Sequence, residues 1–339
     1  MRTGLIIGKF LPLHLGHEAL IEFGKNNCDR LIVVVCGTPE EEISLVERIW
    51  RIQEKYKNVN NIYISCINTN KENLPDSIES SREVSKVWAE CLNNKKFFGR
   101  SGMVNVVFGS EQYISYLAEY MGIDHLIFNE ARTIVPISAT KIRQNPWLNW
   151  HYISKELKDL FIDQVCIYGP ESTGKTTLTK ELADYYKTAY VPEMARYMID
   201  WGNKSMDDLT IKHLEEFDNI QRATVKSMRA FCRKFLFCDT DSITTEIYAD
   251  VLLNKKSRLI ENQSTNHSLY LLLDIDVNYQ PDHQRNLEDK REEMFQRFEN
   301  ELKKRNINYV IVRGQGKDRL RNAVNAINHH FGIKEGYIG

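Results

Sequence analysis

The chain of 339 residues lacks several features that would assign it to a specialised class of protein. Lys plus Arg number 45 and Asp plus Glu number 46, and such a balance is not typical of a general nucleic-acid binder. No apolar run reaches the roughly 18 residues of a membrane-spanning helix. The apolar run after Met1-Arg2-Thr3 is too short for a signal peptide. We therefore predict a cytoplasmic protein that binds neither nucleic acid nor a membrane.

Seven cysteines are scattered along the chain, and no two of them form a C-x-x-C pair. An odd number without that spacing predicts reduced thiols rather than disulfides or a zinc site. Repeats, low-complexity tracts and long Gly/Ser linkers are also absent. Hydrophobic residues make up 42% and charged residues 27%, which is typical of globular proteins. At roughly 150 residues per domain, the length predicts two domains, with three as the alternative, and the missing linker predicts that two such domains touch.

Short apolar runs alternate with amphipathic stretches in two blocks, which predicts α/β domains with parallel sheets and right-handed crossovers. The first block has predicted strands at 4–8, 31–36, 62–67, 103–108 and 125–128, and a helix over 81–97. The second has predicted strands at 165–168, 189–191, 235–238, 269–273 and 309–312, and helices over 176–186, 207–234 and 287–305. Pro146 and two tryptophans mark a boundary within 145–163. We place the domains at residues 1–150 and 151–339.

The first predicted strand leads directly into G-K-F-L-P-L-H-L-G-H, residues 8–17. Gly8 allows a sharp turn, and Gly16 lets the backbone approach a ligand closely where a helix begins. His14 and His17 are three residues apart, so their rings face the same side of a first helical turn. Helix amides together with two imidazole donors form a site for phosphate oxygens.

A second phosphate-binding element follows Pro136 and reads I-S-A-T-K-I-R. Ser138 is a candidate N-cap, and Thr140 with the neighbouring amides would face an anion. Lys141 or Arg143 can add positive charge. The alternative is an ordinary capped helix with solvated basic residues, and the presence of the H-x-G-H motif argues against it.

Together these two motifs resemble those of the nucleotidylyltransferase superfamily, specifically the NMN adenylyltransferase part of NadR-type bifunctional proteins. The resemblance implies a Rossmann-like domain that adenylylates NMN with ATP, releases pyrophosphate and yields NAD. It implies that His14 and His17 stabilise the α-phosphate in the transition state around Mg²⁺, without a covalent intermediate. The residues that would hold the nucleotide are Gly8, Lys9, Phe10, Ser138, Thr140 and Arg143.

Three further groups of residues in the first block are candidates for contact with the substrates. The resemblance suggests that Trp88 stacks on the nicotinamide ring, a cation–π contact worth ~0.5–2 kcal/mol. Trp88 also lies at core spacing with Val84 and Cys91, which supports a packing role equally well. The segment Gly109-Ser110-Glu111 follows a predicted strand, where such sheets bind ligands, and the resemblance places it near the nucleotide ribose. Arg48 and Arg51 are weaker candidates, because two arginines on a polar helix face are usually solvated.

The sequence G-P-E-S-T-G-K-T at 169–176 matches the P-loop motif at every fixed position, between a predicted strand and a predicted helix. Lys175 would neutralise phosphates, and the Thr176 hydroxyl would ligate Mg²⁺. Besides that hydroxyl, we expect a metal-linked carboxylate, which is Asp239 or, alternatively, Asp241. Asp241 could instead hold the acceptor. The predicted ATP-binding residues are Gly169, Glu171, Ser172, Thr173, Gly174, Lys175, Thr176, Thr177 and, from a lid, Arg285.

The second half resembles the ribosylnicotinamide kinase domain of NadR-type proteins. The similarity lies in the P-loop, in C-D-T-D-S-I-T-T at 238–245, in E-M-A-R at 193–196 and in D-x-x-R at 282–285. It implies that ATP phosphorylates nicotinamide riboside to NMN, which the first domain then converts to NAD. The residues it implies near the riboside are Glu193, Arg196, Asp241 and Asp282. Glu193 and Arg196 could instead form a surface ion pair.

Two other functions are alternatives. A bifunctional coenzyme A synthase also couples an H-x-G-H adenylyltransferase to a P-loop kinase, and an NAD-sensing regulator would bind NAD with only a weak first activity. Some NadR-type members carry an N-terminal helix-turn-helix domain, and we expect none here, because three residues precede the first strand. A homo-oligomer is compatible with the sequence.

Overall fold

The computed structural model describes residues 1–75, 81–93, 103–261, 263, 267–281, 284 and 287–333. The chain divides into two compact units, Met1–Leu160 and Phe161–Gly339. The division lies within the stretch 145–163 that the sequence marks as a boundary, at residue 160 rather than 150. Residues 151–160 belong to the first unit, because Arg51 forms a salt bridge with Asp159 at 2.6 Å and His14 pairs with Ile153 in an antiparallel bridge.

The described part of the first unit contains a five-stranded sheet whose strand pairs are all parallel, in the order β3-β2-β1-β4-β5. Its central strands are nearly continuous apolar runs because helices cover both faces. The central strand β1 has β2 on one side and β4 on the other, and a ligand crevice forms at such a reversal. The strands are β1 (Thr3–Gly8), β2 (Arg30–Gly37), β3 (Ile62–Asn68), β4 (Val106–Gly109) and β5 (Asp124–Ile127).

Polar side chains begin most helices of the first unit. The Ser44 hydroxyl accepts from the amide of Glu47, and Gly122 ends a helix in the left-handed conformation that suits glycine. The predicted helix over 81–97 is observed from Arg82 to Asn93, and residues 94–97 lie outside the described residues. The helices are α1 (Leu15–Asn26), α2 (Leu45–Tyr56), α3 (Arg82–Asn93), α4 (Tyr113–Met121) and α5 (Ala139–Gln144).

Within its described residues, the second unit also contains five parallel strands, in the order β10-β9-β6-β8-β7. Strand β6 is central, so the P-loop that follows it emerges between the ends of β8 and β9. The strands are β6 (Asp163–Tyr168), β7 (Tyr190–Val191), β8 (Phe235–Asp239), β9 (Leu269–Leu273) and β10 (Tyr309–Val312). The predicted α/β class with two parallel sheets is confirmed.

The predicted helix over 207–234 is shorter than expected. A 3-10 turn covers Met206–Asp208, and the Thr210 side chain then accepts from the amide of His213, which starts the α-helix one residue after the cap. A second 3-10 turn, Arg229–Phe231, follows its end. The helices of this unit are α6 (Lys175–Tyr186), α7 (Met194–Trp201), α8 (Ile211–Met228), α9 (Ser242–Leu253), α10 (Arg258–Glu261), α11 (Arg291–Lys304) and α12 (Lys317–His330).

Each unit has its own core between sheet and helices. In the first, Leu5 and Val34 pack with Trp88 from α3. In the second, Cys166 and Tyr270 pack with Phe298 from α11. All seven cysteines are free thiols, in agreement with the prediction. Across the described part of the chain, no helix combines the length and apolar composition needed to cross a membrane.

Candidate functional site

The H-x-G-H motif forms the turn between β1 and α1, and His14 is the N-cap of that helix. Its Nδ1 accepts hydrogen bonds from the amides of Gly16 at 3.1 Å and His17 at 3.3 Å. Because Nδ1 is an acceptor, the proton of the neutral ring resides on Nε2, which is left as a donor. A Cβ atom at residue 16 would lie 2.9 Å from Cε1 of His14, so the close ring requires glycine.

His14 and His17 lie face to face, with ring centroids 3.7 Å apart, and the ring of Phe10 packs against His17 edge-on at 4.9 Å. Burial, with the nearby Arg132 charge, lowers the pKa of His14 to about 4. Burial, together with the neighbouring His14 and Arg132, lowers the pKa of His17 well below its usual range. Both rings are therefore neutral at pH 7. Among the described residues, Nδ1 of His17 has no hydrogen-bond partner although it is buried.

Lys9 is held by a carboxylate that the sequence did not single out. Its Nζ lies 3.2 Å from Oε1 of Glu41, in the loop after β2. The other oxygen of Glu41 accepts from Arg48, which also donates to the backbone carbonyls of Ile43, Cys36 and Lys9. Arg48 is 0% exposed. The expectation of a solvated Arg48 is wrong, since this side chain joins the loops after β1 and β2.

The I-S-x-T-x-I-R segment lies against the H-x-G-H turn. The Ser138 hydroxyl caps α5 by accepting from the amide of Lys141 at 3.3 Å. The guanidinium of Arg143 donates to the carbonyl of Leu11, inside the first motif, and lies 3.5 Å from the Thr140 hydroxyl. Two motifs far apart in sequence therefore form one polar surface at the end of β1. Gly8 and Phe10 belong to the same turn, and Phe10 is buried.

Trp88 is buried in the core of the first unit and lines a cavity of about 30 Å³ with Gly8, Cys36 and Tyr113. That volume holds about one water molecule, which is too little for a nicotinamide ring. The indole Nε1 is buried and has no hydrogen-bond partner within the described part of the chain. The packing role of Trp88 is observed, and its contact with a ligand remains a prediction.

The segment Gly109-Ser110-Glu111 follows β4, as expected. A Cβ atom at residue 109 would lie 2.3 Å from the side chain of Ile114, so glycine is needed for helix α4 to pack here. Glu111 forms an exposed ion pair with Arg132 at 3.1 Å. Its proximity to a ribose is a prediction.

In the second unit, two side chains of the P-loop donate hydrogen bonds to the backbone carbonyl of Pro170, within the same loop. Gly169 and Gly174 have φ angles of +137° and +83°, a backbone conformation that favours glycine. Lys175 Nζ and the Thr173 hydroxyl both donate to the carbonyl of Pro170, each at 2.9 Å. Helix α6 begins at Lys175, so its first amides point into the loop.

Thr176 and Asp239 meet at the end of β8, as the sequence predicts. The Thr176 hydroxyl donates to Oδ2 of Asp239 at 2.6 Å. Oδ1 of Asp239 is buried and, among the residues described, accepts no hydrogen bond. Burial and the charge of Glu193 raise the pKa of Asp239 to about 7, against the opposing effects of Lys175 and Thr176. A hydroxyl beside a carboxylate with a free oxygen fits the oxygen ligands that Mg²⁺ prefers.

Asp241 is used within the protein. It caps α9, with Oδ1 accepting from the amide of Thr244 at 3.1 Å, and its Oδ2 accepts from the hydroxyl of Tyr270 at 2.5 Å. Potential ligand atoms of Cys166, Asp241 and His267 lie within 4.8 Å of one another. Because both oxygens of Asp241 already accept hydrogen bonds within the protein, we assign no metal to this trio. The riboside contact of Asp241 stays a prediction.

A cavity of about 340 Å³ opens beside the P-loop. P-loop residues from Glu171 to Thr177 line it, together with Glu193 and Arg196. Part of the lining is apolar and packs as one cluster, with side chains that the sequence did not identify: Ala195, Ile199, Met206, Leu209, Leu214 and Phe217. The signal was present as apolar residues of α7, of α8 and of the turn between them, but it is indistinguishable from ordinary core in a sequence.

Gln221 is another residue that sequence reasoning missed. Its side chain accepts from the amide of Met194 at 2.9 Å and donates to the carbonyl of Asp239 at 3.2 Å. It therefore ties the start of α7, next to Glu193, to the end of β8. Of the remaining predicted residues, Asp282 and Arg285 lie outside the described residues.

The segment before them reaches the P-loop. The Tyr279 hydroxyl lies 3.3 Å from Oε2 of Glu171, and the amide of Gln280 donates to the Ser172 hydroxyl at 2.7 Å. Arg291 donates to the carbonyl of Val277 at 2.9 Å. This segment therefore contacts the P-loop at Glu171 and Ser172, and its role as a lid stays a prediction.

Known proteins resemble this chain in sequence and in fold. Residues 164–319 match the family described as AAA domain. The trifunctional NAD biosynthesis/regulator protein NadR of Escherichia coli is 27% identical over 262 residues, which cover 72% of this chain and 62% of that protein. The chain thus spans about three fifths of this relative's length. A phosphopantetheine adenylyltransferase of Clostridium botulinum is 37% identical over 68 residues, 20% of this chain and 42% of the relative.

Two crystal structures of NadR protein share the fold of nearly the whole chain. One is in complex with NAD and AMP-PNP and the other in complex with NR. Each has a TM-score of 0.76 and 22% sequence identity, covering 98% of this chain and 97% of that chain. The resemblance to NadR-type proteins that the motifs predict is thereby confirmed.

Proposed function

We propose that this chain is an enzyme of NAD biosynthesis with two activities. The second unit phosphorylates nicotinamide riboside with ATP, and the first adenylylates the resulting NMN to NAD with release of pyrophosphate. The observation that carries the proposal is that one chain assembles two separate sets of candidate phosphate-binding side chains, one in each unit. They are the stacked pair His14 and His17, and the P-loop with Thr176 and Asp239.

In the first unit, catalysis would rest on positioning and hydrogen bonding. The His14 ring is fixed by its cap bonds and presents Nε2–H, and the neutral His17 ring is stacked against it. Donors held in advance at a phosphoryl group stabilise the charge that develops as the NMN phosphate attacks the α-phosphate of ATP. Lys9 and Arg143 would hold the leaving pyrophosphate, and no covalent intermediate is needed.

In the second unit, Lys175 and the amides that begin α6 would hold the β- and γ-phosphates of ATP. The residues fit Mg²⁺, and Thr176 and Asp239 would hold it. When bound, the ion neutralises phosphate charge during transfer. Because its two ligands are already in contact, the protein supplies this arrangement in advance.

The lining of the cavity supports an acceptor with polar and apolar parts. Glu193 and Arg196 are among the polar lining residues and could contact ribose hydroxyls. The apolar cluster, with Phe217 and Leu214, would accept a flat ring such as nicotinamide. Asp241 would then act on the riboside indirectly, by fixing α9.

The two alternatives make different chemical demands. A coenzyme A synthase would use phosphopantetheine, and a regulator would bind NAD without turnover. We would incubate the purified chain with Mg²⁺ and ATP, adding nicotinamide riboside, NMN or phosphopantetheine separately, and resolve products by chromatography. The proposal predicts NMN and NAD from the riboside and NAD from NMN. A product from phosphopantetheine alone, or no product at all, would reject it.

A further inference from the structure

Arg319 belongs to α12, far along the chain from the P-loop, and contacts the loop's backbone. Its side chain is 4% exposed. One guanidinium nitrogen donates to the carbonyl of Thr173, and the other lies 3.2 Å from the carbonyl of Asp274 and contacts the carboxylate of Asp276. The side chain also lines the cavity beside the P-loop. No motif in the sequence marks it.

The bond to Thr173 determines which way a neighbouring amide points. In a trans peptide, the C=O and the following N–H point in opposite directions. The carbonyl of Thr173 is directed toward Arg319, so the N–H of Gly174 is directed away from Arg319. Gly174 has a φ of +83°, and a Cβ atom there would lie 3.6 Å from the nearest guanidinium nitrogen. The guanidinium therefore favours one of the two orientations of this peptide.

The guanidinium is itself held by a network from the ends of two strands. The second oxygen of Asp276 accepts from the amide of Gly314 at 2.6 Å, and the backbone carbonyl of Asp276 accepts from Gln315 at 2.6 Å. Arg319 keeps its charge at neutral pH despite its burial. A buried, paired arginine is costly to move, so its bond to Thr173 is a fixed feature of the loop.

We propose that Arg319 is a positioning residue of the nucleotide site, which orients the Thr173–Gly174 peptide so that its amide is available to a phosphate of the bound nucleotide. The inference rests on the proposed use of ATP by the second unit. It does not depend on which acceptor that unit phosphorylates.

The test is calorimetric titration of the full chain with ADP and Mg²⁺. Arg319→Ala should weaken ADP binding by roughly 10- to 100-fold, because a charged hydrogen bond and the oriented amide are both lost. The matched control is Arg321→Ala, on the same helix, whose side chain is 68% exposed and paired with Asp318. The control should bind ADP like the wild type. Since ADP binding needs no acceptor, failure to phosphorylate nicotinamide riboside would reject the proposed function and still leave this inference tested.

A second set of variants separates positioning from folding. Arg319→Lys keeps the charge but loses the fork that spans Thr173 and Asp276, so it should fold and bind ADP at least several-fold more weakly. In kinetic assays its KM for ATP should rise while its KM for riboside stays unchanged. ADP affinity within twofold of the wild type in folded Arg319→Lys and Arg319→Ala proteins would overturn the proposal. If only Arg319→Lys folds, its affinity alone decides.

Discussion

The two ring nitrogens of His14 differ in their hydrogen bonding. Nδ1 closes the first turn of α1, and this fixes the ring and leaves Nε2–H for a ligand. The sequence predicted the ligand role from the H-x-G-H spacing, but it gave no sign of the cap. A histidine cap is uncommon, since Ser, Thr, Asp and Asn dominate that position.

We expect acidification to destabilise the first unit. The pKa of His14 is about 4 in the folded chain and near 6.5 when unfolded, so between these values the unfolded state binds more protons. The free energy of unfolding should therefore fall as pH falls, by about 2 kcal/mol between pH 7 and 5 from His14 alone. His14→Asn keeps a capping oxygen without the titration. Its denaturant unfolding should depend less on pH, and an unchanged dependence would contradict the assignment.

His17→Ala should lower NMN adenylylation on the order of 10²- to 10³-fold, the usual cost of one preorganised donor at a transition-state phosphate. Riboside phosphorylation should not change. Both rates are measured on the same preparation, so the kinase serves as the control for folding. Wild-type NAD synthesis in this variant would mean that the ring only packs against His14 and Phe10.

At the scale of elements, two aspartates only two residues apart in sequence belong to different elements, β8 and α9. Asp239 ends the strand beside the P-loop, and Asp241 begins the helix. The alternation of side chains along a strand could not distinguish them, because the chain leaves the strand between them. Only the cap bonds and the Tyr270 contact make the distinction.

Asp239→Asn should abolish phosphorylation with any acceptor but leave the protein at least as stable as the wild type at pH 8. The reason is that the folded pKa, about 7, lies above the unfolded value of 3.8. Between pH 3.8 and about 7 the folded state therefore binds more protons than the unfolded state. The stability that protonated Asp239 contributes is lost as pH rises through the folded pKa, so at pH 8 the ionised side chain destabilises the fold. Kinase assays and denaturant unfolding at pH 8 test both halves.

Asp241→Ala should do the reverse, with a loss of roughly 1–3 kcal/mol in unfolding free energy from the missing cap and the unpaired Tyr270 hydroxyl. Any loss of kinase activity should appear mainly as a higher KM for riboside. Loss of Mg²⁺-ATP use with unchanged stability would show that Asp241, and not Asp239, is the metal-linked carboxylate.

Sequence predicted the strands well where they are long apolar runs, such as those of β2 and β9. The strand expected over 103–108 begins only at Val106, because β1 pairs with it from there, and Met103 is 69% exposed. Motifs with fixed spacing predicted the candidate phosphate-binding residues. Glu41, Gln221 and Arg319 have no such signal, since each acts through a backbone or charge partner that is distant in sequence.

At the scale of the whole molecule, the chain is two units, each with its own core and its own candidate phosphate site. The residues that would transfer a phosphoryl group lie in the second unit, and those that would transfer an adenylyl group lie in the first. The account therefore predicts that either activity can be removed without the other. On the proposed function, NMN made by the second unit would be the substrate of the first.

The most direct measurement follows the products formed from nicotinamide riboside, Mg²⁺ and ATP by the wild type, Lys175→Ala and His17→Ala. The wild type should form NAD, and His17→Ala should accumulate NMN. Lys175→Ala should form neither from the riboside but should still convert supplied NMN to NAD, because Lys175 belongs to the P-loop of the second unit alone. Equal loss of both activities in folded Lys175→Ala protein would contradict the assignment of two separate sites.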